Sequence, residues 1–235
     1  MSRAAQGPDP ARIRAMFGSI ARRYDRANTI LSGGIHHLWR RKIVRWSGAR
    51  PGDRVLDCAT GTGDLAIAFA KVVGPAGDVV GTDFSPEMLA PAPRKAERDG
   101  VRVTFETADV TALPYADASF DVASIAFGIR NVADRVGGLR EMARVVRPGG
   151  RVVVLEFGQP ENVLLRPLFN LYSRRFLPWI GGVLTGNREA YAYLERSAGE
   201  FPCREAFLDL MRETGLLAAL EWRAYTGGIA YAYRG

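Results

Sequence analysis

The sequence predicts an α/β fold built on a mostly parallel, doubly wound sheet. Beyond Gly52, short apolar runs rich in β-branched residues alternate with stretches of helical character, and continuously apolar strands are typical of a parallel sheet covered on both faces. The chain has 235 residues, of which 47% are hydrophobic and 24% charged, so it is long enough for one large domain or a core with a smaller cap. We expect an N-terminal helical segment at residues 1–50 and a core domain at residues 51–235.

Five strands are predicted in this core. They are Arg54–Cys58, Asp78–Asp83 and residues 101–107, 120–127 and 151–156, with a helix at residues 134–146 and a turn at residues 148–150 before the last strand. Ser85 and Pro86 predict the start of the second helix, because serine is a favoured N-cap and proline fits the first helical position. Pro91 and Pro93 are expected to interrupt that helix early, since proline breaks a helix interior.

Two regions lie outside this alternation. Residues 8–50 are predicted to form helices before the first strand, and residues 158–200 form a long insertion after the strand that ends at Glu156. The insertion interleaves apolar residues with arginines; they are Leu164, Leu165, Phe169, Leu171, Tyr172, Phe176, Leu177, Trp179 and Ile180, with Arg166, Arg174 and Arg175. Because ligands of an open α/β sheet bind beyond the carboxyl ends of the strands, we interpret the insertion as a helical lid.

Charge and cysteine content bear on partners and compartment. Residues 1–50 carry eleven Arg and Lys residues against two Asp residues, while the whole chain has a net charge of +7. Such a basic segment attracts nucleic acid, an anionic membrane or an anionic substrate, and it is equally an ordinary solvated helical face. The chain has only two cysteines, no secretory signal and no apolar run near the ~18 residues of a membrane span. We expect a cytoplasmic protein.

A glycine-rich turn after the first strand predicts a nucleotide site. Gly61 and Gly63 follow Asp57 and precede a helix. Glycines let the backbone approach a ligand there, and the helix N-terminus offers unpaired N–H groups. Asp83 ends the second strand twenty residues beyond Gly63, and a carboxylate in that position accepts hydrogen bonds from two ribose hydroxyls. These features predict an adenosine-bearing ligand at the carboxyl edge of the sheet.

The acids around this turn favour S-adenosyl-L-methionine over a dinucleotide. Residues 61–66 also fit the dinucleotide pattern G-x-G-x-x-G/A. A pyrophosphate would lie between Asp57 and Asp64, and like charges a few ångströms apart cost several kcal/mol at an effective dielectric constant of about 20. The ammonium of S-adenosyl-L-methionine pairs with carboxylates, while backbone N–H groups take its own carboxylate. An NAD-dependent oxidoreductase stays open as the alternative from another class.

Three further residues are candidates for contact with adenine. Asp109 follows the third strand and is a candidate acceptor for the adenine amino group, with Phe84 and Val110 against the ring faces. Asp109 is also suited to a turn or a helix cap, and Phe84 to plain core packing. Both alternatives stay open.

Three longer signatures are more specific than the glycine turn. They are residues 17–28 (FGSIARRYDRAN) with 31–40 (LSGGIHHLWR), residues 127–134 (FGIRNVAD), and residues 144–150 (RVVRPGG) with 155–157 (LEF). On these residues the chain resembles the class I methyltransferases, and more closely the quinone C-methyltransferases of menaquinone and ubiquinone biosynthesis, over nearly its whole length. The resemblance implies a Rossmann-like fold that binds S-adenosyl-L-methionine.

The resemblance also implies which residues contact this cofactor. They are Thr62, Asp83, Asp109 and Val110. The serine that often precedes the Phe-Gly motif is Ala126 here, so a side-chain contact to the cofactor is lost at that position, and the near-terminal histidine of the family is Tyr233. These departures put the substrate in question more than the reaction class. A methyltransferase of a soluble aromatic metabolite is the nearest alternative.

The acceptor that the resemblance implies is a lipophilic quinol with a polyprenyl tail. Its ring carbon becomes nucleophilic when the neighbouring hydroxyl, with a pKa of ~10, is ionised. We interpret Arg130 as the electrostatic stabiliser of the phenolate, and a water oriented by Asn131 and Tyr24 as the proton acceptor. The alternative role for Arg130 is a salt bridge that holds the lid.

Other partners are less defined by the sequence. The insertion is suited either to shelter the prenyl tail while resting on the inner face of a membrane or to form an ordinary lid core. No motif of the Asn-Pro-Pro-Tyr type for a flipped base is present, so nucleic acid is not an expected partner. His36 and His37 are adjacent and are not expected to share a helix face, so no metal site is predicted. The oligomeric state, with a homodimer among the options, and the choice between benzoquinone and naphthoquinone stay open.

Overall fold

The computed structural model describes residues 8–163 and 165–235, which contain a seven-stranded sheet. The strands are β1 (Arg54–Cys58), β2 (Asp78–Asp83), β3 (Thr104–Thr107), β4 (Phe120–Ala126), β5 (Val146–Phe157), β6 (Glu221–Tyr225) and β7 (Ala230–Arg234). Their order is β3-β2-β1-β4-β5-β7-β6; β1 to β5 are parallel, and β7 pairs antiparallel with both β5 and β6. The predicted mostly parallel sheet is confirmed. Residues 1–7 of the predicted N-terminal segment, and Leu164 of the predicted lid, lie outside the described residues.

β3 and β4 are shorter than predicted. The Val101 N–H donates to the Ala96 carbonyl at 3.1 Å, so Val101 still belongs to the end of the preceding helix and the strand begins only at Thr104. Phe127 takes a φ of +56°, which is incompatible with an extended strand, and β4 therefore ends one residue earlier, at Ala126.

β5 is longer than predicted because the expected turn lies inside it. Phe120 of β4 pairs with Val146, whereas Val122 pairs with Arg151. The residues between the two pairs, including Gly149 with a φ of +79°, bulge out of the ladder. The turn at residues 148–150 was therefore predicted correctly. The predicted start of the strand after it was wrong, because β5 already begins at Val146.

The C-terminal hairpin of β6 and β7 is absent from the sequence prediction. β7 lies between β5 and β6, so both of its edges are hydrogen-bonded, and its first four residues are buried. Tyr233, which stands where the family has a histidine, is a core residue whose hydroxyl accepts the Arg204 N–H at 2.9 Å. Its position indicates a packing role.

The helices of the described residues surround the sheet. They are α1 (Pro10–Ile20), α2 (Tyr24–Ser32), α3 (Ile35–Ser47), α4 (Asp64–Val73), α5 (Pro86–Leu89), α6 (Ala92–Arg98), α7 (Arg135–Val145), α8 (Leu165–Leu171), α9 (Leu177–Thr185), α10 (Arg188–Glu200) and α11 (Glu205–Arg212). Ser85 caps α5 by accepting the Met88 N–H, and the chain breaks at Pro91 before α6, as predicted. A π-helical turn joins α8 to α9.

Three apolar clusters hold these layers together. Val55 and Leu56, which point to opposite faces of β1, belong to two large cores on the two sides of the sheet. A third, smaller cluster joins the N-terminal helices to the insertion and contains Ile20, Ala27 and Tyr191. The predicted helical insertion thus packs on the predicted N-terminal helices. None of the helices in residues 8–163 and 165–235 has both the length and the apolar character needed to cross a membrane.

Candidate active site

Seven of the nine predicted cofactor residues line one cavity of about 120 Å³, the turn cavity. They are Gly61, Thr62, Asp83, Phe84, Asp109, Val110 and Ala126. They meet because the ends of parallel strands β1, β2 and β4 share one edge of the sheet, as the sequence analysis expected. Asp57 and Gly63 do not line this cavity.

Asp83 ties the glycine turn to the end of β2. One carboxylate oxygen accepts the Gly61 N–H and the other accepts the Ser85 N–H, both at 2.9 Å. Burial raises the pKa of Asp83, and these two backbone hydrogen bonds oppose the rise. Each oxygen has a further lone pair, so the carboxylate can still accept from ligand hydroxyls in the cavity.

Gly63 has a packing role in the turn. Its φ is +83°, and a Cβ added there would lie 2.9 Å from the Phe105 ring of β3 and 3.0 Å from the Ala92 side chain. Only glycine allows α4 to begin this close to β3 and α6. The residue therefore supports the turn cavity from behind.

Asp57 lies beneath the turn and is fully buried. Its carboxylate accepts the hydroxyls of Thr60 at 2.6 Å and Ser124 at 2.7 Å. Burial raises the pKa of Asp57 to about 6, although these two hydrogen bonds oppose the rise. A neighbouring positive charge would favour its ionised form.

The negative charge of Asp64 is paired with two cations, which revises the electrostatic argument made from the sequence. Arg40 of α3 donates to its carboxylate at 2.9 Å, and Lys95 of α6 forms a second ion pair with it. Although burial acts to raise the pKa of Asp64, the two cations hold it below its ordinary value. Asp64 therefore does not oppose an anion at the turn in the way that the sequence alone suggests.

Lys95 also connects the turn to the N-terminal helices. Its ammonium donates to Asp25 of α2 at 2.6 Å and to the Thr62 hydroxyl at 3.0 Å. Thr62 in turn donates to Asp25 at 2.5 Å. The first turn of α2 is thereby fixed against the glycine turn, and the Thr62 hydroxyl is already engaged within the protein.

The two candidate adenine contacts with alternative roles can now be placed. Asp109 accepts both the N–H and the hydroxyl of Thr111 at 2.8 Å, which is the turn role that the sequence left open. It also lines the turn cavity together with Val110 and Phe84, and Phe84 is half-buried there. The two roles are compatible, because a carboxylate has four acceptor sites.

A second and larger cavity of about 270 Å³, the aromatic cavity, lies between the N-terminal helices and the insertion. Its lining is mainly apolar and includes Trp39, Phe157, Phe169 and Tyr172. The aromatic and turn cavities share four lining residues, which are Phe17, Tyr24, Arg40 and Phe127. Two ligands, one in each cavity, would therefore meet at these four side chains.

Arg130 lines the aromatic cavity but is engaged in a buried ion pair. Its Nη1 donates to Glu156 at 2.6 Å and to the Phe127 carbonyl at 2.5 Å, and the two charged side chains are 2% and 0% exposed. Glu156 belongs to β5, so the salt bridge does not involve the insertion, contrary to the alternative considered from the sequence. The pair holds the strand end and the Phe127 segment together.

Tyr24 and Asn131, the two residues predicted to orient the proton-accepting water, both line the turn cavity. Tyr24 lines both cavities, and burial raises the pKa of its phenol, although the charges of Arg130 and Arg40 oppose the rise. It is therefore a hydrogen-bond donor at neutral pH. Asn131 lines the turn cavity and accepts the Tyr193 hydroxyl at 2.9 Å.

The expectation that His36 and His37 diverge is wrong. Their ring centroids are 3.9 Å apart, and with Asp64 they offer ligand atoms within 4.8 Å of one another. The charges of Arg40 and Lys95 beside Asp64 oppose a cation there. His36 lines the aromatic cavity, its Nδ1 lies 2.6 Å from the Ser32 hydroxyl, and burial lowers its pKa to about 3.

Sequence reasoning missed the charged partners of the site. Arg40, Lys95 and Glu156 were not assigned roles, although Arg40 closes the first signature and Glu156 lies in the third. Placement within a signature was the available signal for both. Nothing in the local sequence marks Lys95.

Known proteins resemble this chain over its whole described length. The profile of the ubiE/COQ5 methyltransferase family matches residues 6–235. A protein of Bdellovibrio bacteriovorus named ubiquinone/menaquinone biosynthesis C-methyltransferase UbiE is 60% identical over 97% of this chain and 97% of its own. A Geobacter sp. (strain M21) protein of the same name is 46% identical over 95% of each chain.

Solved structures share the fold. A crystal structure from Thermotoga maritima, described as a SAM-dependent methyltransferase and possible histamine N-methyltransferase, superposes with a TM-score of 0.63. It covers 94% of this chain and 97% of its own, at 20% sequence identity. At this identity the likeness shows the Rossmann-like methyltransferase fold alone.

Proposed function

This chain belongs to the ubiE/COQ5 methyltransferase family, and from that premise we propose that it methylates a ring carbon of a lipophilic quinol with S-adenosyl-L-methionine as the methyl donor. The family match favours this activity over the NAD-dependent oxidoreductase considered from the sequence. The two curated relatives named above carry names from ubiquinone and menaquinone biosynthesis. The acceptor class that we propose is accordingly a reduced polyprenyl quinone precursor.

The turn cavity has the donor and acceptor groups that the methyl donor needs. Asp83 has acceptor capacity left for two ribose hydroxyls. Asp109 and Val110 line the same cavity, and we propose that Asp109 accepts from the adenine amino group while Val110 contacts the ring. Asp57 is a buried carboxylate whose two hydrogen-bond donors are neutral hydroxyls, and a ligand ammonium nearby would favour its ionised form. When bound, the cofactor supplies an electrophilic methyl group.

The observation that carries the proposal is the contact between a polar and an aromatic cavity. A methyl transfer from sulfur to carbon is an in-line displacement, so the acceptor carbon must lie opposite the bond that breaks. Tyr24, Phe127, Phe17 and Arg40 line both cavities, so an aromatic ring in one would face a methyl group in the other. The apolar walls of the larger cavity suit a quinol ring with a hydrocarbon tail.

Three side chains are proposed to manage the proton and the charge. Tyr24 remains protonated and donates to the reacting oxygen or to the water that accepts the proton, and Asn131 helps to orient that water. Arg130 contributes positive potential to the aromatic cavity, and its bond to the Phe127 carbonyl fixes the wall between the cavities. The pKa of a quinol hydroxyl, ~10, makes this assistance necessary at neutral pH.

The activity is tested with labelled methyl donor and reduced acceptors. The purified protein is incubated with methyl-labelled S-adenosyl-L-methionine and, separately, a prenylated benzoquinol, a prenylated naphthoquinol and their tail-free analogues. We expect label on a ring carbon of a prenylated quinol and much less on the analogue without a tail. Labelling of the tail-free compounds alone would favour a soluble aromatic acceptor, and tight binding of NAD without binding of the methyl donor would refute the proposal.

We also propose that the insertion rests on the inner face of the membrane that holds the acceptor. Leu168, Trp179 and Val183 are 68%, 61% and 70% exposed. The same insertion carries Arg174, which is 71% exposed and pairs with Glu195 at 3.4 Å. Apolar side chains among cations suit an interface with anionic lipid. The proposal places the wall of the aromatic cavity that the insertion supplies, which includes Phe169 and Tyr172, next to the lipid phase.

Liposome sedimentation tests this surface. The double variant Trp179→Ser/Val183→Ser should bind vesicles with anionic lipid at least several-fold more weakly than the unaltered protein. Leu216→Ser is the matched control, because Leu216 is 57% exposed and lies outside the insertion. Equal sedimentation of all three proteins, or no binding by any, would exclude the membrane role of the insertion.

A further inference from the structure

We infer that Arg40 is the cation that contacts the reacting oxygen of the acceptor while the methyl group is transferred. This inference rests on the proposed quinol methylation and names a residue for it that neither the signatures nor the glycine turn assign. It depends on the position of Arg40 between the two cavities, on its unsaturated hydrogen bonding and on the different state of Arg130.

Arg40 lies where the two ligands would meet. It is one of four residues that line both cavities, and the only charged one among them. Its side chain is 13% exposed, and its Cζ lies 6.0 Å from the centroid of the Phe127 ring, which also lines both cavities. The guanidinium is therefore largely removed from solvent at the place where an acceptor carbon would face the methyl group.

The guanidinium of Arg40 keeps donors for a ligand. Nη1 donates to Asp64 at 2.9 Å. Within the described residues, this is the hydrogen bond that the Arg40 guanidinium makes, and its Nε and Nη2 form none. Asp64 fixes the position of the group, and two nitrogens remain to donate to an oxygen of the acceptor.

Arg130 is the other arginine that lines either cavity in the described chain, and a buried carboxylate and a backbone carbonyl already hold its guanidinium. Its Nη1 is shared between Glu156 and the Phe127 carbonyl, and Glu156 is completely buried. Asp64 is in contrast shared between Arg40 and Lys95. Lys95 also pairs with Asp25 of α2, so this cluster joins two cations to two carboxylates. Arg40 therefore differs from Arg130 in its position between the cavities and in the two nitrogens that it keeps for an additional oxygen.

The chemistry requires such a contact. The hydroxyl proton passes to water, and negative charge develops on the ring oxygen. The ring carbon then bonds to the methyl carbon as the carbon–sulfur bond breaks, which leaves a neutral thioether, and the proton on that ring carbon leaves to water afterwards. An arginine stays protonated throughout and donates to the oxygen in a fixed geometry. Removing a preorganised donor of this kind costs about 10²–10³-fold in kcat.

Three variants test the inference on the full-length protein. Arg40→Gln should lower kcat by about 10²–10³-fold and leave the dissociation constant of S-adenosyl-L-methionine within a few-fold. In this variant the pH at which kcat rises should also increase by about one unit or more. The reason is that a positive charge nearby lowers the pKa of an acidic group such as the acceptor hydroxyl by about 1–3 units, and the variant removes that charge. Arg40→Lys should restore part of both. Arg41→Gln, an exposed neighbour on the same helix, is the matched control and should behave like the unaltered protein.

Asp64→Asn separates direct contact from a purely structural role. It removes the negative charge beside Arg40, while the amide oxygen of Asn still accepts from Nη1 and keeps the guanidinium in place. The pH profile of this variant should therefore stay close to that of the unaltered protein. If Asp64→Asn copies both effects of Arg40→Gln, or if Arg40→Gln keeps its kcat and pH profile, the inference is overturned while the methyltransferase function stands. If the unaltered protein methylates no quinol, the proposed function itself fails and the inference with it.

Discussion

The buried Arg130–Glu156 pair provides a sharp test of how the site is held together. The variants are Arg130→Met, Glu156→Gln and the double variant. Because the side chains are 2% and 0% exposed, either single variant leaves a charge in the interior without its partner, which costs about 3–5 kcal/mol. The double variant removes both charges, and we expect it to be only about 1–2 kcal/mol less stable than the unaltered protein, mainly through the lost donor to the Phe127 carbonyl.

Urea unfolding at neutral pH, followed by circular dichroism, measures these free energies. The control is the same double-mutant cycle on the exposed pair Arg12–Glu189, whose side chains are 61% and 73% exposed. The coupling free energy between these two residues should lie between about 0 and 1 kcal/mol. Additive effects at Arg130 and Glu156, or single variants that lose less than about 1 kcal/mol, would refute the reasoning that burial makes the pair interdependent.

The same cycle decides how an activity loss at Arg130 is interpreted. A single substitution leaves Glu156 charged and buried next to the aromatic cavity, so its activity reports disruption as well as lost positive charge. The double variant lacks Arg130 without leaving that charge. If it keeps a near-normal kcat, Arg130 acts through structure; if it is inactive although folded, the positive potential of Arg130 itself is needed.

Two further predictions concern stability. The pKa of His36 is lowered from 6.5 to about 3, so its contribution to stability is present above pH 6.5 and is lost as the pH falls towards 3, by up to ~1.4 kcal/mol per pH unit. Between pH 6.5 and 4, the melting temperature of His36→Gln should therefore fall less steeply than that of the unaltered protein. An equal fall in the melting temperature of both proteins would contradict this. Gly63→Ala should cost more than Gly100→Ala by about 1–3 kcal/mol in urea unfolding. Both glycines have positive φ, but a Cβ at Gly63 would meet Phe105 at 2.9 Å whereas nothing lies within 4 Å at Gly100; equal costs would contradict this second prediction.

The parallel part of the sheet was predictable because its strands are short, continuously apolar and bounded by turns. The hairpin of β6 and β7 was not, because β7 is covered on both faces while β6 contains two exposed residues. Neither strand shows the simple alternation that marks an antiparallel edge. The bounds of β5 depended on pairing with β4 across a bulge, which no local pattern contains.

The place of the site was predictable, but its charge balance was not. The strand ends carry Asp83 and the glycine turn to one edge by topology alone. The neutralisation of Asp64 depends on Arg40 and Lys95, which lie 24 and 31 residues away in sequence on two other helices. Such pairs are set by how helices pack, so a sequence shows the acids and leaves their partners undetermined.

This difference changes why the turn should prefer a methyl donor. With Asp64 paired, the discrimination against a pyrophosphate rests on Asp57, whose hydrogen-bond donors include the hydroxyls of Thr60 and Ser124. Burial raises the pKa of Asp57 to about 6, although its hydrogen bonds and the charge of Arg40 oppose the rise. An anion at the turn would raise the cost of ionising Asp57 further, whereas an ammonium or sulfonium would reduce it. We therefore predict that the preference for a cationic ligand arises from Asp57, the buried carboxylate beneath the turn, and that Asp64 at the start of α4 positions Arg40.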